Sequence, residues 1–415
     1  MDRIILHCDL NNFYASVELL SLPELRASGA PVAVCGDPEA RHGVILAKNE
    51  AAKACGVKTA ETVWQAQKKC PGLVLLPSHH GEYSRWSKVV NSIYNRFSDL
   101  VEPFSIDESW LDITGSAHLW GGDGAHVADL VRQTVREETG LSISVGVSFN
   151  KVFAKMGSDY KKPDATTVIT RKNFKDIIWP LPVTALLFVG KAAAMVLDGY
   201  GVRTIGDLVA FGREGLVSLL GKQGATFYDY ATGAEHAPVS PANAAAPPKT
   251  VGCGLTFRRN LRGPEDVRTG VAVLADDVAA RLRRHGLKCA TVQVTIRDPN
   301  FKDICRQKPL SAPSYTAQEI GAAALSLIQS SWNMVSPIRA LTVTGQNLVE
   351  AGEVTEQLSL FQEETTPRRE KLERLSHTMD KIREKYGDDS ITFTSPVKEE
   401  LGLTAKTKTP PPDGD

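Results

Sequence analysis

The sequence predicts an α+β protein of several domains, the first of which is a ferredoxin-like sheet interrupted by an insertion. Its 415 residues are too many for one compact core, so about two to four domains are expected. Over residues 1–168 the hydrophobic pattern follows the order strand, helix, strand, strand, helix, strand, as in a split βαβ fold. A Pro- and Ala-rich stretch at 238–249, without periodicity, then precedes a second ordered segment that is basic.

Each element of the first domain follows from a short apolar run and the residues that bound it. The run from Arg3 to Cys8 predicts a buried strand, and Asn11 or Asn12 is expected to cap a helix from Phe13 to about Leu20. The pattern continues with a helix at 81–98, strands at 101–106 and 109–113, a helix from Asp123 to Gly140, and a strand at 141–149. The insertion after the first strand carries strands near 31–35 and 44–48 and a helix near 51–55.

The remainder of the chain divides into a helical segment, a second α/β segment and a polar tail. Residues 169–233 are predicted to be helical. Strands are expected near 250–257, 290–298 and 338–348, and helices near 267–284 and 316–330. In the tail, apolar residues at three- and four-residue spacing predict an amphipathic helix at 367–386, which docks either on the protein itself or on a partner.

Charge and cysteine content narrow the class of protein. The chain has 48 Lys and Arg and 48 Asp and Glu, so its overall charge favours neither nucleic acid nor a membrane surface as partner. Residues 249–350 alone carry 14 Lys and Arg against 8 Asp and Glu, a net charge of +6, which predicts a basic surface. Seven scattered cysteines, no signal peptide and no apolar run of membrane-spanning length indicate a cytoplasmic protein with reduced thiols and no membrane partner.

Three acidic residues are predicted to meet at one edge of the ferredoxin-like sheet. In this topology the first and third strands are central; Asp9 ends the first, and Asp107 and Glu108 lie where the second turns into the third. Three carboxylates this close require a cation, and Mg²⁺ prefers oxygen ligands. The alternative is that Asp107 and Glu108 are only a polar hairpin tip. Against it stand the absence of the Gly or Asn typical of tight hairpins and the recurrence of Asp9 at the same edge.

Three stretches of the sequence resemble the Y-family DNA polymerases, the translesion enzymes. They are HCDLNNFYASVE (7–18), SIDESWLD (105–112) and VGVSFNKVFAKMGSDYKKPD (145–164), in that order. The resemblance extends over most of the chain and is strongest to bacterial members. It implies a right-hand polymerase with a palm at 1–12 and 79–168, fingers at 13–78, a small helical thumb at 169–235, a linker at 236–249, an α/β little finger at 250–349 and a tail at 350–415.

The resemblance also implies roles for individual residues of the first domain. Asp9, Asp107 and Glu108 would hold two Mg²⁺ ions, with the backbone carbonyl of Leu10 as a further ligand, for phosphoryl transfer from a deoxynucleoside triphosphate. Tyr14 would be the steric gate that excludes a ribose 2′-hydroxyl. The residues implied to bind the incoming nucleotide are Phe13, Tyr14, Lys53 and Lys162.

The sequence departs from the family pattern at three places, none of which involves the three carboxylates. Glu50 stands where a tyrosine that contacts the triphosphate is frequent. Lys53 stands where arginine is common, which removes a bidentate donor. The first unit of the predicted thumb, at 186–197, lacks the paired glycines of a helix-hairpin-helix, so its phosphate-binding turn differs from the usual one.

The second half of the chain is implied to bind primer-template DNA and a sliding clamp. Basic residues of the little finger would contact phosphates without reading sequence. Those singled out are Arg258, Arg259 and Arg262 after a predicted strand, and Arg281, Arg283 and Arg284 at the end of a helix. The segment QLSLF at 357–361 resembles the pentapeptide that binds the beta subunit of the bacterial clamp, with contacts from Gln357, Leu358, Leu360 and Phe361. A monomer is expected.

Three functions remain in competition at this point. The first is a template-directed translesion polymerase, and since no acidic cluster of exonuclease type is apparent outside the first domain, it would lack proofreading. The second is a catalytically inactive, clamp-tethered DNA-binding accessory protein, which does not explain why all three carboxylates are present. The third is a nucleotide cyclase, which would share the sheet and the acids but has no use for the basic second domain.

Overall fold

The protein is described by a computed structural model that covers residues 2–36, 43–241, 247–352, 365–387, 390–391 and 399–403. These residues belong to two compact units. The first comprises 2–36 and 43–241, and the second comprises 247–352 with the described residues that follow. In the described ranges, no helix is both long enough and apolar enough to cross a bilayer.

The first unit consists of a central sheet, an inserted smaller sheet and a group of short helices. In chain order its elements are β1 (Ile5–Leu10), α1 (Phe13–Leu20), α2 (Pro23–Ser28), β2 (Val32–Cys35), β3 (Ile45–Lys48), α3 (Glu50–Ala54), α4 (Val63–Lys69), β4 (Val74–Pro77), α5 (His80–Tyr94), β5 (Val101–Pro103), β6 (Glu108–Asp112), α6 (Gly124–Thr139), β7 (Ile143–Ser148), α7 (Lys151–Tyr160), β8 (Thr166–Ile169), α8 (Phe174–Ile178), α9 (Lys191–Asp198), α10 (Ile205–Phe211), α11 (Arg213–Leu220) and α12 (Lys222–Ala231).

The central sheet has the order β5-β6-β1-β7-β8. β1 pairs antiparallel with β6 on one side and with β7 on the other, so the first and third strands of the predicted pattern are central, as expected. β8, which runs parallel to β7, was not predicted. α5 and α6 pack on one face of the sheet through a core that includes Leu6, Cys8 and Val131, and α7 packs on the other.

A glycine in β7 allows α7 to lie very close to the sheet. A Cβ atom added at Gly146 would lie 1.9 Å from the carbonyl oxygen of Ala154 and 2.4 Å from the backbone nitrogen of Ser158. Only a residue without a side chain permits this approach. The consequence is that residues of α7 reach across the sheet to side chains of β1 and β6.

Helix boundaries agree with the sequence for α6 but not for the cap of α1. The Asp123 carboxylate accepts hydrogen bonds from the N–H groups of Ala125 and His126, and Gly140 ends α6 in a left-handed conformation. Asn12 occupies the N-cap of α1, but its side chain makes no capping bond and donates instead to Glu50. The predicted side-chain cap is therefore wrong, because Asn12 connects α1 to the inserted segment.

The insertion folds as a small sheet in the order β3-β2-β4, packed against α3 and α4. The sequence predicted β2, β3 and α3, whereas α4 and β4 were missed. Beyond β8, residues 170–233 are helical, as predicted.

The second unit is a four-stranded antiparallel sheet with two long helices on one face and further residues of the tail. Its elements are β9 (Thr250–Leu261), α13 (Gly263–Arg284), β10 (Leu287–Arg297), β11 (Asp303–Ser314), α14 (Ala317–Ser331), β12 (Ile338–Glu350) and α15 (Thr365–Tyr386), with a 3₁₀ turn at Glu399–Leu401. The sheet order is β11-β10-β12-β9, and β11 was not predicted.

The tail helix α15 docks on the second unit itself. Asp380 of α15 receives two hydrogen bonds from the Arg283 guanidinium, at 2.5 and 2.7 Å, and Arg383 donates to Asp276 at 2.6 Å. Met379 of the same helix is buried. Of the two possibilities left open by the sequence, docking on the protein's own body is the one observed.

Candidate active site

Three acidic residues lie at one edge of the central sheet, where β1 meets the turn between β5 and β6. Asp9 and Glu108 are directly opposite each other in the β1–β6 register. The neighbouring Asp107 is tied to the same edge, because its carbonyl oxygen accepts a hydrogen bond from the N–H of Leu10 at 3.0 Å. Residues that are almost a hundred positions apart in sequence are thus adjacent in space.

Lysine side chains from and just beyond α7 neutralise two of the three carboxylates. The Lys162 ammonium donates to Asp9 Oδ2 at 2.6 Å, and the Lys155 ammonium donates to Glu108 Oε1 at 2.7 Å. Among the residues that the structure describes, no lysine contacts the Asp107 carboxylate, whose Oδ1 accepts a hydrogen bond from the Ser105 hydroxyl at 2.6 Å. Two acid–lysine pairs and a separate carboxylate therefore line this edge.

Burial makes Asp9 a difficult place for a negative charge. Its side chain is 6% exposed, and loss of hydration raises the pKa of Asp9 to about 7 even though the charge of Lys162 lowers it. The adjacent Glu108 adds to the increase. A carboxylate in this setting requires a nearby cation, a requirement met here by the ammonium group.

The donor set at this edge suits a hard divalent cation. Carboxylate oxygens of Asp9, Asp107 and Glu108, with the backbone carbonyl of Leu10, are ligands of the kind that Mg²⁺ prefers. In the described parts of the chain, no three His, Cys, Asp or Glu side chains are grouped closely enough to hold a metal ion as they stand. Lys162 and Lys155 are the cationic side chains that contact Asp9 and Glu108 in this structure.

A buried histidine lies behind the acidic pair and was missed by sequence reasoning. His7 is completely buried, its Nδ1 lies 2.8 Å from the Ser158 hydroxyl, and its Nε2 lies 3.9 Å from Glu108 Oε2. Burial and the charges of Lys155 and Lys162 hold the pKa of His7 well below its usual value, so the ring is neutral. The two-residue spacing from Asp9 on a strand was the available signal, since it places both on one face.

Tyr14 is held beside the site by stacking. Its ring is parallel to that of Tyr83, with centroids 4.0 Å apart and an interplanar angle of 10°. Burial and the charge of Asp107 raise the pKa of Tyr14, which indicates that its hydroxyl lies in the field of that carboxylate. Phe13, by contrast, is 3% exposed and belongs to the core, so the nucleotide contact implied for it is not available to its side chain.

The unusual Glu50 forms part of a polar link between α1 and α3. Its carboxylate accepts from Asn12 at 3.1 Å and lies 3.5 Å from the Lys53 ammonium. Lys53 is more than half exposed, so it is free to move toward a ligand. Glu50 therefore contacts both Asn12 at the start of α1 and Lys53, the lysine that the resemblance implies to contact phosphate.

The arginines expected to bind DNA in the second unit differ in availability. Arg258 is exposed, and a cavity of about 520 Å³ is lined by Arg258, Arg259, Asn260 and Arg262. Arg259 is paired with Asp266 at 2.5 Å. Arg283 is only 3% exposed under α15, so a phosphate contact there is wrong for this structure. Residues 357–361, predicted to bind the clamp, lie outside the described ranges.

Comparison with known proteins gives consistent matches over nearly the whole chain. Residues 8–159 match the impB/mucB/samB family, and residues 248–360 match the C-terminal domain of that family. The chain is 48% identical to DNA polymerase IV of Acetivibrio thermocellus over 94% of its own length and 96% of that protein. It is 36% identical to DNA polymerase IV 1 of Bacillus subtilis over 98% and 96% of the two chains.

A solved structure has the same fold. The backbone superimposes on a Y-family DNA polymerase chimera with a TM-score of 0.74 at 21% identity, covering 83% of this chain and 99% of the chimera. At this level of identity the similarity establishes the architecture, an α+β multidomain arrangement as the sequence predicted.

Proposed function

The chain belongs to the impB/mucB/samB family, the Y-family DNA polymerases, and from this relationship we propose that it extends a primer 3′ end by two-metal phosphoryl transfer. It is accordingly a DNA-directed DNA polymerase of the translesion type. We further propose that it lacks proofreading, acts in the cytoplasm as a monomer and is recruited by the sliding clamp. The observation that carries the proposal is the direct pairing of Asp9 with Glu108 at the edge that also holds Asp107.

On this proposal the central sheet would be the palm, and the other parts would be the domains that the family resemblance implies. The β3-β2-β4 insertion would be the fingers, the helices after β8 the thumb, and the second unit the little finger with the tail. Metal ions bound by Asp9, Asp107, Glu108 and the Leu10 carbonyl would stabilise charge on the attacking and leaving oxygens. The chain's own contribution is to bring the carboxylate and carbonyl oxygens of these residues to one edge of the sheet through the β1–β6 register.

Lysine residues supply positive charge at the same edge before a nucleotide arrives. The Lys162 ammonium donates a hydrogen bond to Asp9 Oδ2 at 2.6 Å, and the lysine side chain is 28% exposed. The ammonium can therefore leave Asp9 and bind a triphosphate oxygen instead. Lys53, exposed on α3, would contact the phosphates from the fingers. The ring of Tyr14, fixed against Tyr83, would lie under the sugar and exclude a 2′-hydroxyl.

The competing proposal, an inactive DNA-binding accessory protein, does not account for the state of Asp9. Keeping a carboxylate buried is costly, and selection for DNA binding alone gives no reason to retain one beside two further acids. The low exposure of Asp9 and its contact with Lys162 instead suit a site prepared for cations and phosphate.

Primer extension with Mg²⁺ on undamaged and lesion-containing templates tests the proposal. The unmutated protein should extend the primer, and Asp107→Ala should reduce the rate by about a hundredfold or more. Asp112→Asn is the matched control, because Asp112 is the last residue of β6, the strand that follows Asp107, and the hydrogen bonds its carboxylate accepts from described residues come from the neighbouring Thr114, whose N–H lies at 3.0 Å. Absence of extension by the unmutated protein would refute the proposed activity.

The same reaction examines proofreading. A primer with a mismatched 3′ terminus should be extended or left intact but not shortened. Removal of the mismatched nucleotide by the purified protein would show that this part of the proposal is wrong.

A further inference from the structure

The turn that contains Lys162 is attached to α6, which lies on the opposite face of the central sheet from α7. Residues 161–165 connect the end of α7 to the start of β8. Within this turn the Lys162 ammonium bonds Asp9 at 2.6 Å and Asp159 at 2.8 Å. The lysine stem is flexible, so the position of its ammonium depends on these two contacts together with the point on the turn from which the stem starts.

Asp164 fastens this turn to α6 through two arginines. The Arg132 guanidinium donates to Asp164 Oδ1 at 2.9 Å, and it also donates to the Asp164 carbonyl oxygen. The other carboxylate oxygen forms an ion pair with Arg136, one turn further along α6. Side chain and backbone of the same residue are therefore held by one rigid element.

The arginine on which this attachment depends is itself held in place. Arg132 is 20% exposed, and its second guanidinium nitrogen donates to Asp129 at 2.8 Å. Asp164 adopts a left-handed backbone conformation, with φ at +53°, which aspartate and asparagine tolerate better than most residues. The conformation and the ion pairs together define a single path for the chain between α7 and β8.

We infer that Asp164 is a positioning residue for nucleotide binding, acting through Lys162. The inference rests on the proposed polymerase function, in which Lys162 contacts the incoming triphosphate. The Asp164 carboxylate contacts Arg132 and Arg136 of α6, and in the described structure it makes no contact with Asp9. By attaching the turn to α6, Asp164 fixes the backbone position of Lys162. From that position the Lys162 ammonium can reach either Asp9 or a phosphate oxygen of the nucleotide.

A purely structural role for Asp164 predicts different measurements. If the Arg132–Asp164 contact only stabilised the fold, its loss would lower the unfolding temperature and affect all steps of the reaction alike. If it acts through Lys162, its loss would weaken nucleotide binding selectively. It would also have no further effect once Lys162 is removed, because the two residues would then be coupled.

A double-mutant cycle of Asp164→Asn and Lys162→Ala distinguishes the structural role of Asp164 from a positioning role through Lys162. Asparagine keeps the size and the tolerance of the left-handed conformation but removes the charge. We expect Asp164→Asn to raise KM for the nucleotide about threefold to tenfold, with primer-template affinity unchanged. In the Lys162→Ala background the same change should have no additional effect. Glu138→Gln is the matched control, since Glu138 lies on α6 in an ion pair with Arg96 outside this network.

Equilibrium binding of a non-hydrolysable deoxynucleotide to the protein–primer-template complex provides a second readout. It should weaken by the same factor in Asp164→Asn, and in Arg132→Gln if the first variant does not fold. An unchanged nucleotide affinity, or effects of Asp164→Asn and Lys162→Ala that simply multiply, would overturn the inference. Failure of the unmutated protein to extend primers would reject the proposed function separately, because the binding measurement does not depend on catalysis.

Discussion

Tyr14 is the residue whose side-chain geometry most directly connects structure to substrate choice. Its ring is stacked on Tyr83, and the Tyr83 hydroxyl in turn bonds the carboxylate of Glu18. The Tyr14 ring also meets the tilted ring of Phe13 and the edge-on ring of His80, at 5.7 and 5.8 Å between centroids. With neighbours on several sides, the ring has little freedom to rotate away from a ligand.

This rigidity predicts that the bulk of the ring, and not the hydroxyl, selects against ribonucleotides. Tyr14→Ala should raise ribonucleotide incorporation relative to deoxynucleotide incorporation by about a hundredfold, the scale at which a closely packed group discriminates a single added hydroxyl. Tyr14→Phe keeps the ring and should retain most of the discrimination. Single-nucleotide insertion with paired ribo- and deoxynucleotides measures both, and equal selectivity of Tyr14→Ala and the unmutated protein would contradict the assignment.

At the residue scale, the acidic edge could be predicted from topology, whereas Lys162 was named only through the family resemblance and Lys155 and His7 were not named. Asp9, Asp107 and Glu108 followed from topology, because the order of strands dictates which strand ends are neighbours. Lys155 reaches Glu108 from α7, a helix that lies close to β7 at Gly146, and no local sequence pattern encodes that distance. Exposure likewise depends on tertiary packing, which is why Phe13 was grouped with Tyr14.

At the scale of elements, the strongly periodic segments were predicted and short or edge segments were missed. α6 and β7 agree with the sequence to within two residues, since amphipathic and alternating patterns are unambiguous at their lengths. Half of the residues of β11 are exposed, and the strand contains Lys308 and Pro309, a composition typical of an edge strand that alternation cannot identify. β8 has four residues, too few for a pattern.

The tail helix α15 gives a prediction about an element whose docking depends on a buried charge. Arg283 is 3% exposed and is satisfied by Asp380 and by the carbonyl oxygen of Tyr315. Asp380→Asn leaves the guanidinium buried without its counter-charge, which should lower the free energy of unfolding of the second unit by about 3 kcal/mol. Chemical denaturation of the full chain, followed by two probes, measures the change.

A matched variant separates the effect of burial from that of charge. Asp277→Asn also removes an aspartate from an arginine, Arg281, at 2.9 Å, but both partners are about 40% exposed. An exposed pair of this kind contributes about 0.5 kcal/mol or less, so this variant should be nearly neutral. Equal destabilisation by the two substitutions would show that α15 is not held through the buried Arg283.

At the scale of the whole molecule, the division into two units follows from composition as much as from packing. The unperiodic stretch at 238–249 marks the change from one unit to the other, and the basic surplus lies entirely beyond it. The acidic edge belongs to the first unit and the exposed Arg258 to the second. The proposed catalytic carboxylates and the proposed DNA-binding arginines therefore lie in separate units. Because their charges cancel in the total for the chain, the overall composition reveals neither of them.

In the sequence, the segment 357–361 lies between β12, which ends at Glu350, and α15, which begins at Thr365, and both of these elements belong to the second unit. If it binds the clamp, recruitment should be separable from catalysis, because the carboxylates lie in the other unit. Replacing Leu360 and Phe361 with alanine should reduce clamp-stimulated primer extension about tenfold or more, the usual effect of losing apolar anchor residues, and leave clamp-free extension unchanged. Leu375→Ala, an exposed leucine on α15, is the control and should affect neither. Equal loss in both assays would mean that the segment supports the enzyme itself and not its attachment to the clamp.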